Sequence, residues 1–321
     1  MPAVSASAPG KIILFGEHAV VYGQPAIAVP VTSVSIKVVV QAAPLQPAGM
    51  ISIESPPVGL NTTRKNLPDH HPLKKLFDLL EDTLGISHLP AMKIRITSTL
   101  PAGAGMGSSA AVSVATIRAI SRFLGIPLQN EQINQIAYEV EKVYHGTPSG
   151  IDNTVITYQM PIYFVRQVPP QIIPLKTPLT LVIANSGEGA STGEMVAGVR
   201  QRWQENPQRY EQIFSRIGSI VNSAKKLLEN GEWRQLAPLM NENHRLLQEM
   251  GVSSPSLDRL VNAALECGAL GAKLTGGGGG GNIIALVEPD QVELISQKLS
   301  QMGAVQTWVT TLSSRVEDDQ P

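Results

Sequence analysis

The stretch 92–124, MKIRITSTLPAGAGMGSSAAVSVATIRAISRFL, constrains the fold more than any other part of the chain. Met92, Ile94 and Ile96 alternate with Lys93 and Arg95, the period of a half-buried strand. From Ser108 to Leu124 the small apolar residues run too long for a strand and stop at Gly125 with Pro127 beyond, which predicts a buried helix. Between them Gly103, Gly105 and Gly107 stand on alternate positions. A strand running through a glycine loop into a helix N-terminus has two uses. It is a tight turn closed by a serine cap, or an anion site where orphan amides and the positive end of the helix dipole face a phosphate. Spacing excludes two familiar phosphate loops. A Walker A loop needs Lys and then Ser or Thr after its last glycine, and Gly107 is followed directly by Ser108. A dinucleotide finger needs G-x-G-x-x-G and a strand-ending acid, and GAGMG has neither.

The rest of the chain sets this unit in a two-part, mixed α and β pattern. Val34 to Val40 reads as a strand, and Leu73, Leu76, Phe77, Leu80 and Leu84 mark an amphipathic helix. A further helix is expected from about Gln129 to Val143, followed by the turn HGTPSG. The segment 166–178 holds four prolines and no period, which places a boundary there. Beyond it, Leu179 to Ala184 reads as a buried strand and 192–267 as mainly helical. Residues 271–311 then read strand, six-glycine loop, strand, helix, strand, and the polar 313–321 as a tail. The expected domains are therefore 1–174 and 175–312.

Composition narrows the partners. With 25 basic against 26 acidic residues the net charge is −1, so neither nucleic acid nor a membrane surface is expected to be the ligand. A single cysteine and six scattered histidines offer no zinc spacing. No stretch approaches the roughly 18 apolar residues of a membrane span, and the N-terminus lacks the pattern of a secretory signal. A cytoplasmic protein acting on a small molecule is expected.

Three separated motifs then align with one family. PGKIILFGEHAVVYGQPAIA (9–28), LPAGAGMGSSAA (100–111) and KLTGGGGGGNIIAL (273–286) resemble the signature motifs of the GHMP kinases, a group that includes galactokinase, homoserine kinase, mevalonate kinase and phosphomevalonate kinase. The octet GEHAVVYG and the stretch E-x-x-x-HGTPSGIDN (141–153) are most similar to the mevalonate kinase branch. The resemblance implies an α+β fold of two domains with the active site between them: an N-terminal domain with an unusual left-handed βαβ unit and a ferredoxin-like C-terminal domain. It implies ATP- and Mg2+-dependent phosphorylation of the primary hydroxyl of mevalonate, the alternative being another acceptor such as phosphomevalonate, homoserine or a sugar. Family members are often dimers, so a homodimer is an expectation as well.

Residue by residue, the resemblance assigns the nucleotide to Pro101, Gly103, Ala104, Gly105, Met106, Gly107, Ser108 and Ser109. Glu141, near a helix C-terminus where the dipole disfavours a carboxylate unless a cation compensates, is assigned to Mg2+. Ser109 is the second oxygen ligand, with Ser108 the alternative one position away. Asp152 is the carboxylate beside the hydroxyl to be phosphorylated, acting either as general base or through its field; an N-cap for a helix starting at Asn153 is a second use of the same residue, compatible with the first. Lys11, the lone cation in a strand suited to burial, requires a carboxylate partner, and Asp152 is the one expected. Lys11, Glu17, His18, Asp152, Thr192 and Gly277 are expected to hold the acceptor, whereas Tyr22 reads as core. One departure stands out: the family commonly carries a basic residue just before the pair Ser191–Thr192, and here that position is Ala190.

Overall fold

The computed structural model describes residues 3–101, 105–146 and 148–313. In chain order its elements are β1 (Ala3–Phe15), β2 (Ala26–Ala42), β3 (Ile51–Ser55), β4 (Leu60–Thr63), α1 (Pro72–Leu84), β5 (Met92–Ser98), α2 (Ser108–Phe123), α3 (Asn130–His145) and α4 (Ile151–Tyr158). There follow β6 (Ile162–Phe164), β7 (Gln171–Ile172), β8 (Leu179–Asn185), α5 (Thr192–Glu205), α6 (Pro207–Asn230), α7 (Leu236–Glu249), α8 (Pro255–Glu266), β9 (Gly271–Thr275), β10 (Asn282–Val287), α9 (Val292–Gln301) and β11 (Gln306–Leu312). They form two compact units. Unit one contains the chain up to Gly10 and Val34–Tyr158; unit two contains Lys11–Ser33 and the chain from Gln159 onward. No helix among the described residues is long and apolar enough to cross a membrane.

In unit one, β5 lies between β2 and β3, antiparallel to the first and parallel to the second. The parallel pair β3 and β5 is connected through α1, which makes a βαβ unit, and the short β4 extends the edge beside β3. The helices pack on one another, α2 meeting α1, α3 and α4. Helix α2 tolerates burial all round because its side chains are small. Ala110, Ala111, Ala115 and Ala119 are wholly buried. Its buried hydroxyls bond back to their own helix, Ser113 to the Ser109 carbonyl at 3.0 Å and Thr116 to the Val112 carbonyl at 2.7 Å, so no polar group is stranded.

In unit two, a four-stranded sheet runs β11-β8-β10-β9 with every pairing antiparallel. Strands β8, β9 and β10 show almost no inside-outside alternation because nearly every residue is buried. Helices α7, α8 and α9 pack on these strands. Lys273 is the exception in chemistry: it lies in mid β9, opposite Ile284 in the register, and is wholly buried.

The periodic segments emerged as expected, with helix ends shifted by a residue or two. Strands β3, β4, β6 and β7 were not anticipated, since runs of two to five residues carry too little period to read. β7 falls inside the proline-rich segment 166–178, where it pairs with β6. Pro30 lies within β2 between the residues paired to β6 and those paired to β5, so its missing N–H removes no bond from either ladder.

Candidate active site

The glycine loop belongs to unit one. Gly103 and Ala104 lie outside the described residues. Gly107 is the N-cap of α2 with φ of 75°, a left-handed conformation that favours glycine, and no side chain caps the helix. The serine cap considered from sequence is therefore not what ends this helix. Ser108 and Ser109 are its first two residues, and the amides of its first turn receive no side-chain cap. Pro101 and Met106 flank the loop; Met106 is buried. Gly10, from β1, meets this segment so closely that a Cβ there would stand 2.8 Å from Leu100 and 3.4 Å from the Met106 carbonyl.

Helix α3 brings Glu141 and His145 to Ser109. Glu141 is buried at 2 % exposure in the last turns of α3. Its Oε2 lies 3.6 Å from His145 Nε2, one helical turn on. The same Nε2 lies 3.3 Å from Ser109 Oγ. The carboxylate and hydroxyl assigned to the metal by resemblance thus converge on a single imidazole nitrogen. Tyr144, beside them, has its phenol pushed up to about 12, chiefly by burial and then by the Glu141 charge. Asp152 sits in the first turn of α4, half-buried. The helix begins at Ile151 and already includes it, so Asp152 is not the cap of a helix starting at Asn153.

Asp152 belongs to unit one, whereas the other acceptor candidates, Lys11, Glu17, His18, Thr192 and Gly277, belong to unit two. His18 holds φ of 59°, a conformation side chains rarely adopt. Its Nε2 lies 2.8 Å from the Gly277 carbonyl. A carbonyl only accepts, so Nε2 carries the proton and Nδ1 of the neutral ring is an acceptor. Burial holds the His18 pKa below its ordinary value, which keeps the ring neutral. Gly277 in turn touches Thr192: a Cβ on it would stand 3.0 Å from Thr192 Oγ1. Ser191 is the N-cap of α5 but makes no side-chain capping bond. His18, Gly277 and Thr192 therefore form one contiguous set.

The glycine tract is seated by backbone contact. Gly279 N–H donates to the Val252 carbonyl at 2.8 Å, and Gly281 N–H donates to the Glu188 carbonyl at 2.6 Å. At Gly278, φ is 77° and an added Cβ would collide with the Val252 carbonyl. No other residue type fits there.

Glu17 is buried and pairs with Lys273, whose side chain is wholly buried; Lys273 Nζ also donates to the Leu274 carbonyl at 2.6 Å. Burial raises the Glu17 pKa and the Lys273 ion pair opposes it, with a smaller contribution of the same sign from Lys11. The other oxygen, Oε2, is buried and has no hydrogen-bond partner among the described residues. Lys11 is itself buried. Sequence reasoning missed Lys273 and His145. The test applied to Lys11, a lone cation in a strand suited to burial, applies equally to Lys273 in GAKLT. His145 stands four residues after Glu141, the spacing that shares a helix face.

An uncapped helix N-terminus after a glycine loop, a buried carboxylate and a hydroxyl meeting beside it, and a polar set seated on a second glycine loop describe a small-molecule phosphotransferase. Residues 71–159 match the family described as GHMP kinases N terminal domain, and 224–305 match GHMP kinases C terminal. The mevalonate kinase of Thermococcus gammatolerans is 39 % identical over 91 % of each chain, and that of Thermococcus sibiricus 35 % over 98 % of each. The crystal structure of L. major mevalonate kinase in complex with R-mevalonate superposes with a TM-score of 0.82 at 32 % identity, covering 96 % of this chain and 95 % of that one. The chain belongs to the GHMP kinases, in their mevalonate kinase branch. As a kinase of this family it uses ATP.

Proposed function

We propose that this chain transfers the γ-phosphoryl group of ATP to the primary hydroxyl of mevalonate, giving 5-phosphomevalonate and ADP. The observation that carries this reading is the contiguous set His18, Gly277 and Thr192, in a chain 39 % identical to a relative named mevalonate kinase. In the transfer, the bond from the γ-phosphorus to the β,γ-bridging oxygen breaks and one to the acceptor's C5 oxygen forms. Asp152 takes the hydroxyl proton, and Lys11 stabilises the negative charge that develops on that oxygen. His18, through the Nδ1 lone pair, accepts from an acceptor hydroxyl, and Thr192 supplies a second hydroxyl contact.

The residues fit a magnesium ion. Glu141 and Ser109 are oxygen donors that each approach His145 Nε2, at 3.6 and 3.3 Å, and such an ion is commonly held by one or two protein oxygens plus substrate phosphates and water. Among the described residues no group of three or more His, Cys, Asp or Glu could hold a metal by itself. When bound it neutralises charge on the β- and γ-phosphates. Pro101, Gly103, Ala104, Gly105, Met106, Gly107 and Ser108 cradle the nucleotide with the first amides of α2. The domain limits 1–174 and 175–312, a cytoplasmic location and a homodimeric state belong to the same reading.

Purified protein with Mg-ATP is expected to release ADP with mevalonate and not with phosphomevalonate, homoserine or galactose. Asp152→Ala is expected to abolish that release. Turnover of another acceptor with mevalonate inert would overturn the substrate, and robust turnover by the variant would overturn the role of Asp152.

A further inference from the structure

The acceptor of the proposed reaction carries a carboxylate, and the position where the family commonly places a cation is Ala190. Its methyl group faces the glycine loop: a Cβ on Gly279 would stand only 2.7 Å from the Ala190 Cβ. The charge must come from elsewhere. Arg202, on α5, is the cation that geometry places against this loop: it bonds the Met250 and Gly251 carbonyls, and the next residue, Val252, accepts from Gly279.

Arg202 is half-buried and, among the described residues, has no carboxylate within ion-pair distance. Its hydrogen bonds go to carbonyls: Nε to Met250 at 3.2 Å and one terminal nitrogen, Nη2, to Gly251 at 3.3 Å. The remaining nitrogen, Nη1, lies over Gly198, where a Cβ would stand 3.2 Å away. Two carbonyl dipoles leave the net charge of a guanidinium in place, so the group remains a receptor for an anion.

Two neutral donors belong to Tyr22 and to Trp203, the residue that follows Arg202 on α5. The Tyr22 hydroxyl and the Trp203 Nε1 are buried, and neither has a hydrogen-bond partner among the described residues. Their rings are in contact, with centroids 5.3 Å apart, and Tyr22 is fixed by stacking on Phe214 at 4.1 Å. Buried donors without acceptors are rare in native proteins, and each calls for a reason. A carboxylate has lone pairs enough for all of these N–H and O–H groups.

We propose that Arg202 receives the carboxylate of the acceptor, with the Tyr22 hydroxyl and the Trp203 indole N–H as the neutral donors beside it. This rests on mevalonate being the acceptor. It makes Arg202 the residue that selects an acidic substrate, in place of the basic side chain missing at 190. The competing use of Arg202 is purely structural: it staples the turn after α7, and the next residue of that turn, Val252, accepts from Gly279.

The two uses separate when acceptor charge is varied along with the protein. Initial rates are measured for the full chain and for Arg202→Met, Arg202→Lys and Tyr22→Phe, with mevalonate and with its uncharged amide, 3,5-dihydroxy-3-methylpentanamide. Wild type is expected to prefer the acid strongly in kcat/KM. Arg202→Met should lower kcat/KM for mevalonate by about ten- to a hundredfold, as expected for loss of a hydrogen bond to a charged group. It should leave the amide within about twofold and the KM for ATP unchanged; Arg202→Lys should recover part of the preference. Tyr22→Phe should show a severalfold loss confined to the acid, and it carries the test if Arg202→Met fails to fold. Equal losses toward acid and amide would assign Arg202 to the staple alone and overturn the proposal. So would a wild type that phosphorylates mevalonate without preferring it to the amide. A wild type inert toward mevalonate but active on another acceptor would instead overturn the functional reading, and this inference with it.

Discussion

Lys273→Met tests the buried ion pair at the centre of unit two. Side-chain exposure is 0 % for Lys273 and 1 % for Glu17, so removing the lysine leaves an uncompensated carboxylate in the interior. Breaking a buried pair in this way costs about 3–5 kcal/mol. The Leu274 carbonyl also loses its donor, while methionine keeps most of the aliphatic stem. A loss of about 4 kcal/mol at neutral pH is the working figure. With a urea slope of about 2 kcal/mol/M it moves the unfolding midpoint down by roughly 2 M. The three tryptophans, Trp203, Trp233 and Trp308, all lie in unit two, so their fluorescence follows that unit in particular.

The deficit carries a pH signature. Burial already holds the Glu17 pKa above 4.5, and removing Lys273 removes the main influence that lowers it. A group whose folded pKa lies above its unfolded value contributes its stability below the unfolded pKa and loses it as the pH rises through the folded one. The cost of Lys273→Met should therefore be greatest at neutral pH and shrink as the pH falls toward 4.5, where Glu17 takes up a proton and needs no cation. Adding Glu17→Gln to the same chain should recover much of the loss at neutral pH. A cost below about 1 kcal/mol that does not vary with pH, the behaviour of an exposed pair, would refute the burial argument.

Other consequences can be measured directly. Gly278→Ala must hold a side chain at φ of 77° against the Val252 carbonyl; a loss of about 3 kcal/mol or more in urea unfolding is expected, with a raised KM for the acceptor. Glu141→Gln should weaken Mn2+ binding in the presence of ATP, followed by paramagnetic resonance, by at least about tenfold, and lower turnover in parallel, since a carboxylate is the stronger ligand for a hard ion. His244, buried on α7, has its pKa lowered to about 4 by burial, against the opposing influence of Asp258. Its contribution is present above pH 6.5 and lost as the pH falls toward 4, about 3 kcal/mol across that window. His244→Gln should flatten this part of the stability profile, and an unchanged acid limb would refute the assignment.

The sequence carried much of this protein because local rules coincide with global ones. The alternation of Met92 to Ile96, the small-residue run after Ser108 and the heptad-like leucines of α1 each fix an element through periodicity. The three glycine-bearing motifs point to the family, and at Gly278 and Gly280 a Cβ would collide with the backbone of Val252 and Glu188. What sequence left open follows from contacts distant along the chain. Whether the glycine loop ends in a serine cap was decided by Gly107, whose positive φ takes the N-cap position itself. Lys273 lies 256 residues from Glu17, and no local pattern joins them; only folding β9 against the segment after β1 removes both from water and forces them to pair. His145 became visible as a partner of Ser109 when α2 and α3 packed together. Sequence alone determined which elements form and what chemistry their motifs suit. Tertiary structure decided which charges neutralise one another, because burial depends on the whole fold and sets the cost of every charge left alone.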